Sequence, residues 1–163
     1  MMKDNLPEYR KRDYKIITSN RKAFFNYEIV NKIEAGIQLT GTEVKSLRRG
    51  KCSLQDAYCF FPYKDNDDLY VVNIHIPEYE QGNINNHDPK RRRKLLVQKR
   101  EQIRWRTLVN EKGYTIVPTE IYFSGHLVKL EIALVKPKKI YDKRETVKKR
   151  DQEREIRRVV KNF

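Results

Sequence analysis

Two stretches of this chain concentrate side chains that could do chemistry, and both are basic. One is Pro89-Lys90-Arg91-Arg92-Arg93-Lys94. The other is the terminal run from Lys136 to Phe163, with twelve Lys/Arg against five Asp/Glu, half of the chain's formal +14. Such groups pair with phosphate, arginine as a planar two-pronged donor and lysine as a point charge. Residue types that run reactions are sparse by comparison. Cys52 and Cys59 have neither CxxC spacing nor a His/Cys cluster nearby, so they read as small buried thiols rather than zinc ligands. His75, His87 and His126 are scattered and fall in no metalloprotease or nuclease-like pattern. There is no Gly-rich phosphate loop, no nucleophile elbow and no carboxylate cluster suited to two-metal chemistry. Glu34 is a lone carboxylate before Gly36, and such a residue is usually structural or a recognition contact. No metal, cofactor or enzymatic activity is expected.

Composition agrees with a binding protein. A chain of 163 residues accommodates one domain of about 110–140 residues plus tails. With 38% hydrophobic and 36% charged residues, the core must be modest and much of the charge exposed or in tails. The positive balance indicates phosphate-rich partners or acidic lipid. Lipid is the weaker reading, since the longest apolar run, Ala57-Tyr-Cys-Phe-Phe61, is far too short to span a bilayer. The N-terminus has no signal-peptide apolar region. A soluble, cytoplasmic protein without membrane attachment is expected.

These residues must be positioned by something, and the hydrophobic pattern says by what. Residues 1–19 are polar and expected to form a mobile arm. Six short strands are expected from alternation: around Phe25–Ile29, around Ile37–Leu39, then 54–61, 69–76, 114–123 and 127–135. Pro118 breaks the alternation of the fifth and predicts a bulge or an edge position. Two helices interrupt the strands. Thr40-Gly-Thr-Glu43 has capping-box spacing and Gly50 stops the first, near 41–49. Asp88-Pro89 reads as an N-cap followed by proline at the first helical position, giving a second helix over 89–112. The fold expected over 20–135 is mainly β: a closed six-stranded antiparallel barrel with flanking helices.

That placement sets up an electrostatic argument. Five cations in the first turn of a helix oppose its dipole, at about 0.3–1 kcal/mol each, so an anionic partner is expected there. The 136–163 tail poses a different problem. Ile156, Val159, Val160 and Phe163 form only a thin stripe at i, i+3, i+4, i+7. Four apolar side chains cannot offset roughly 1–2 kcal/mol per residue of backbone entropy. The tail is therefore expected to be disordered when free and to fold against a large anionic partner, nucleic acid above all. Tyr141, in that tail, is expected to stack on a base, whereas Trp105 reads as a packing residue.

Five strings then converge in order: Asn20-Arg-Lys-Ala23, Glu34-Ala-Gly36, Gly41-Thr-Glu-Val-Lys-Ser-Leu-Arg48, Asp88-Pro-Lys-Arg-Arg-Arg-Lys-Leu-Leu96 and Asp142-Lys-Arg144. From about residue 20 onward the chain resembles the SmpB family, the SsrA-binding proteins of bacteria. The resemblance implies an oligonucleotide-binding (OB-fold-like) barrel. It also implies binding of the tRNA-like domain of tmRNA and its delivery to stalled ribosomes for trans-translation. The family's RNA-contacting positions match Asn20, Glu34, Leu96 and Lys129, with Glu34 as an acceptor for base or ribose donors. The basic residues of the matched strings, Arg21, Lys22, Lys45, Arg48, Arg91, Arg92, Arg93 and Lys94, join them as expected tmRNA contacts. The resemblance further implies that the tail probes the empty mRNA channel as a helix. Its expected ribosome contacts are Lys136, Lys138, Lys139, Tyr141, Asp142, Lys143, Arg144, Lys148, Arg150, Ile156, Val159, Val160 and Lys161. Implied partners are tmRNA, small-subunit ribosomal RNA at the decoding site and mRNA channel, and elongation factor Tu indirectly through alanyl-tmRNA.

Two departures from the family pattern stand out. The tail junction is Lys136-Pro137-Lys138-Lys139 where relatives often have Gly-Lys-Lys, so Pro137 is expected to stiffen a hinge. Val159-Val160-Lys161 stands where some relatives have Ile-Met-Lys. The rival reading is a ribosomal or initiation-type barrel protein that binds ribosomal RNA only; an RNA-modifying enzyme is a third. Preference for tmRNA over tRNA and ribosomal RNA fragments separates the first two.

Overall fold

Period-two alternation carries most of the chain into strands. The computed structural model describes residues 14–138 apart from 83 and 85, and residues 140–161. Among these the elements run β1 (Tyr14–Ser19), α1 (Arg21–Asn26), β2 (Tyr27–Ile37), α2 (Gly41–Arg48), β3 (Tyr58–Phe60) and β4 (Tyr70–Val72). They continue with β5 (Arg93–Leu96), α3 (Lys99–Lys112), β6 (Thr115–Ser124), β7 (Leu127–Pro137) and α4 (Ile140–Lys161). All strand pairs are antiparallel. The sheet order is β1-β6-β3-β4-β5-β2-β7, and a further β6–β7 pairing makes a ring from which only β1 is excluded.

The interior is filled by residues that alternate inward. Ala35, Ile37, Val71, Leu95, Ile116, Ile121, Leu130, Ile132 and Leu134 belong to one cluster. Trp105 of α3 joins it at 1% exposure and is a packing residue as expected. A second, smaller cluster lies on the other side of the sheet, where Ala23 of α1 covers Val117, Ala133 and Val135. Proline at 118 produces the expected irregularity: the β6–β7 register shifts between Pro118 and Glu120. Gly113 closes α3 at φ 66°, a left-handed cap that a side chain would strain.

Several expectations are corrected. Residues 14–19 are not an arm; they pair with β6 as β1, because Ser19, Thr18 and Ile16 find open backbone partners there. Residues 1–13 of the expected arm lie outside the described residues. The two strands expected near Phe25–Ile29 and Ile37–Leu39 are replaced by the helix α1 and one long strand, β2. The largest correction concerns 89–112. Asp88 Oδ1 accepts from the Lys90 amide at 3.0 Å, closing a turn instead of capping a helix. The next residues alternate: Arg93 and Leu95 are buried, Lys94 and Leu96 face outward, and the segment pairs as β5. The helix begins only at Lys99.

Over the described residues the tail forms α4, a 22-residue helix. It starts later than expected, because β7 extends to Pro137, which sits opposite Tyr27. Lys136 is accordingly a strand residue, 3.5 Å from the Glu28 carboxylate. Among the described residues no helix is long and apolar enough to cross a membrane.

Candidate nucleic-acid interface

Strand register assembles the first group of site residues. Gly36 of β2 lies opposite Leu96 of β5 on one side and opposite Lys129 of β7 on the other. Lys129 in turn lies opposite Tyr122 of β6. Directly opposed residues in antiparallel strands share a face, so Leu96, Gly36, Lys129 and Tyr122 form one row across four strands. The absent side chain at Gly36 matters: a Cβ there would meet the Leu96 Cβ at 3.1 Å. Leu96 is 53% exposed over that site, an apolar contact available on the outer face.

Glu34 belongs to the next row on the same face, opposite Glu131, which is opposite Glu120. Glu131 is buried and satisfied, accepting from the Thr119 hydroxyl at 2.8 Å with Lys32 Nζ 3.7 Å away. Glu34 accepts from the Tyr122 hydroxyl at 2.5 Å through Oε2. A carboxylate has about four acceptor positions, so Glu34 keeps capacity for donors from outside. The face combines one positioned acceptor, one exposed leucine and one lysine with no ion pair among the described residues. That set offers directed hydrogen bonding and an apolar contact more than dense positive charge.

The other expected contacts fall elsewhere. Asn20 is a lock: its Oδ1 caps α1 by accepting from the Ala23 amide at 3.3 Å, and its Nδ2 donates to the Pro118 carbonyl at 3.1 Å. Arg21 and Lys22 are exposed on α1, and Lys45 and Arg48 on α2. Lys45 Nζ stands 5.4 Å from the centre of the Tyr79 ring, which Arg49 also covers at 4.8 Å.

The Arg91–Lys94 run is divided by the fold. Glu43, in the capping box of α2, is fully buried. Its Oε1 accepts from Arg91 Nε at 3.0 Å and Nη2 at 2.5 Å, and its Oε2 accepts from Arg93 Nε. Arg93 has no exposure and also donates to the Ile74 carbonyl at 2.8 Å. Burial pushes the Glu43 carboxyl up, but Arg91, the Thr40 amide and Arg93 hold it below its ordinary value. Burial likewise lowers the Arg93 guanidinium, against the pull of Glu43. The helix start expected at Arg91–Arg93 is not there: Arg93 is held inside by the Glu43 carboxylate, whose single charge it shares with Arg91, and the Arg91 side chain keeps 31% exposure. Arg92 is exposed, 5.2 Å from the Phe60 ring, and Lys94 is 3.5 Å from Asp68.

Sequence reasoning missed Tyr122, the exposed Tyr58 ring of β3 and the half-buried rings of Phe60 and Tyr70 beside it. Tyr58-Cys59-Phe60 alternates around a buried cysteine, a pattern that could have flagged Tyr58 and Phe60 as outward-facing.

In the tail, Lys138 bonds the first turn of the fold: its amide donates to the Asn26 carbonyl and its Nζ to the Phe24 carbonyl, both at 3.2 Å. Lys139 lies outside the described residues, as do the side chains of Tyr141, Asp142, Lys143 and Val160. Arg144, Lys148 and Lys161 are exposed. Arg150 is exposed too, 5.4 Å from the Phe25 ring. Ile156 and Val159 are 62% and 53% exposed.

Comparison with known proteins places these features in context. One family, described as SmpB protein, matches residues 17–162. An SsrA-binding protein of Allorhizobium ampelinum is 51% identical over 148 residues, 90% of this chain and 92% of the relative. One from Caldicellulosiruptor bescii is 47% identical over 154 residues, 94% of this chain and 96% of the relative. A solved structure described as "tmRNA-SmpB: a journey to the center of the bacterial ribosome" superposes with a TM-score of 0.62 at 43% identity, covering 76% of this chain and 85% of that one.

Proposed function

The chain belongs to the SmpB protein family, and from that premise we propose how its surface performs tmRNA binding and trans-translation. Its relatives are SsrA-binding proteins and its structural neighbour is a tmRNA–SmpB assembly on the ribosome. The protein binds tmRNA and takes part in rescuing ribosomes stalled on messages without a stop codon. The ring of strands is read as an OB-type barrel that holds the tRNA-like domain against the row of Leu96, Gly36 and Lys129 and the adjoining Glu34. The observation that carries this reading is the register: residues 34, 36, 96 and 129, distant in sequence, share one outer face.

The division of labour follows from charge and packing. The sheet face is nearly neutral and supplies shape and hydrogen bonds. Lys45 and Arg48 on α2, with Arg21 and Lys22 on α1, supply phosphate contacts around it. The tail supplies a long cationic helix whose Ile156 and Val159 face solvent. A helix with few contacts to the rest of the fold is marginal in water. We read α4 as loosely held in the free protein and fixed only in the vacant mRNA channel, beside small-subunit ribosomal RNA. Elongation factor Tu enters the same complex through alanyl-tmRNA.

The test compares labelled tmRNA, tRNA and ribosomal RNA fragments as ligands at one salt concentration. Tighter binding of tmRNA, lost in Glu34→Ala, supports the reading. Equal affinity for ribosomal RNA, unaffected by Glu34→Ala, overturns it.

A further inference from the structure

Aromatic rings collect on the outer side of β3 and β4, around the ring from Gly36. Tyr58 and Phe60 flank the buried Cys59 and face outward, their centroids 5.8 Å apart. Phe60 lies opposite Tyr70, and Tyr70 opposite Lys94, so the rings and the cation share one row. The Arg92 guanidinium covers this row, 5.2 Å from Phe60 and 5.8 Å from Tyr70. Tyr58 remains 44% exposed. A tyrosine on a solvent-facing strand needs no explanation alone; three rings in one patch beneath an exposed guanidinium do.

At the Tyr58 end the patch opens into a cavity of about 300 Å³. Its floor is apolar, formed by Ala23, Ala57 and Val117, and its rim is polar, with Lys22, Asn26 and Asp56. That volume is at the lower end of ligand pockets, ~300–1,000 Å³, and Asn20 and Thr115 make the lining more polar than is usual for them, which suits a nucleobase. Asp56 is held at φ 61°, a backbone conformation that Asp tolerates better than most residues. Two of the nearby carboxylates are paired, Asp67 with Arg106 at 3.1 Å and Asp68 with Lys94 at 3.5 Å.

We propose that this ledge and its cavity form a second RNA-binding surface, centred away from the Glu34 face, sharing only the bordering Lys22 with it, and built for unpaired nucleotides. One base stacks on the exposed Tyr58 ring, beside Phe60, while Arg92 pairs with its phosphate. The neighbouring base enters the cavity, where Asp56 accepts a hydrogen bond from an exocyclic amino group and Lys22 meets the following phosphate. Duplex RNA offers no free ring face and is excluded, so the ligand is single-stranded. The surface would let the protein hold a looped or single-stranded segment while the other face holds a folded one.

The experiment uses the full-length protein with a short, unstructured, fluorescently labelled oligoribonucleotide of mixed sequence, and a duplex of equal length. Binding is read by anisotropy, and contact sites by ultraviolet cross-linking and peptide mapping. The expected result is preference for the single strand and cross-links at Tyr58 or Phe60. Tyr58→Leu, which keeps apolar surface but removes the ring, should weaken binding about ten-fold, within the range known for one base–aromatic stack. Lys22→Gln and Arg92→Gln should each lower the salt dependence. Glu34→Ala should leave oligonucleotide binding intact, so failure here is distinct from failure of the tmRNA reading. Wild-type affinity in a Tyr58→Leu variant of unchanged melting temperature, or cross-links confined to the tail, would overturn the proposal.

Discussion

Glu43 and Arg93, fifty residues apart in sequence, meet with neither side chain exposed to solvent. The pair ties α2 to β5, and Arg91 binds the same carboxylate from the surface. Removing one member of a buried pair leaves the other charged without a partner, at a cost of about 3–5 kcal/mol. Glu43→Gln should therefore lower stability by that order, measured by urea unfolding at neutral pH, with RNA affinity lost only in proportion to unfolding.

The same carboxylate sets an acid limit. Its folded pKa lies below the ordinary 4.5 because the arginine and amide donors outweigh burial. The unfolded chain then binds more protons at low pH, so this contribution is complete above about pH 4.5 and lost as pH falls through the folded value. Unfolding free energy measured stepwise from neutral to acid should fall more steeply in the wild type than in Glu43→Gln below that point.

Salt dependence separates structural from binding arginines. Lys45→Gln with Arg48→Gln should reduce the slope of log affinity for tmRNA against log salt by roughly 0.9 per lost phosphate contact. Arg93→Gln should act otherwise: its folded fraction falls while the slope per folded molecule is unchanged. A slope change from Arg93 alone would restore the view that it faces RNA.

Glu34 tests recognition against charge. Glu34→Ala makes the protein more positive, which improves steering, yet removes an acceptor from the interface. Loss of a charged hydrogen bond costs about 1.5–3 kcal/mol, so tmRNA binding should weaken ten-fold or more. Tyr122→Phe, which frees Oε2 from its anchor, should weaken it less. Tighter binding by the alanine variant would mean that Glu34 only repels phosphate.

For the tail, binding and function should separate. Because β7 continues to Pro137 and Lys138 bonds Asn26 and Phe24, truncation belongs after Lys138 rather than after Val135. That protein should bind tmRNA nearly as well as the full chain, while peptide tagging on stalled ribosomes collapses. Ile156→Asp with Val159→Asp keeps the length and removes the apolar stripe, and should depress tagging alone.

What the sequence determined by itself was local chemistry and pattern. The capping box at Thr40–Glu43, the bulge after Pro118, the inward residues of β7 and the packing role of Trp105 follow from spacing rules that hold wherever the segment lies. The ordered strings, those holding Asn20, Glu34 and Leu96 among them, pointed to one family. Tertiary structure decided the rest, because the competing signals were equal locally. Asp88-Pro89 opens a turn as readily as a helix, and Leu95-Leu96 suits either period. The buried Glu43 carboxylate holds Arg93 inward, Leu95 enters the core, and β2 and β4 take up the backbone of 93–96 as a strand. The expected number of ring strands survived that error because one missed strand, β5, offset two expected strands that became one. That Leu96, Gly36 and Lys129 share one face is likewise invisible in sequence. They become neighbours only through register, and register is settled by which side chains the shared core can bury.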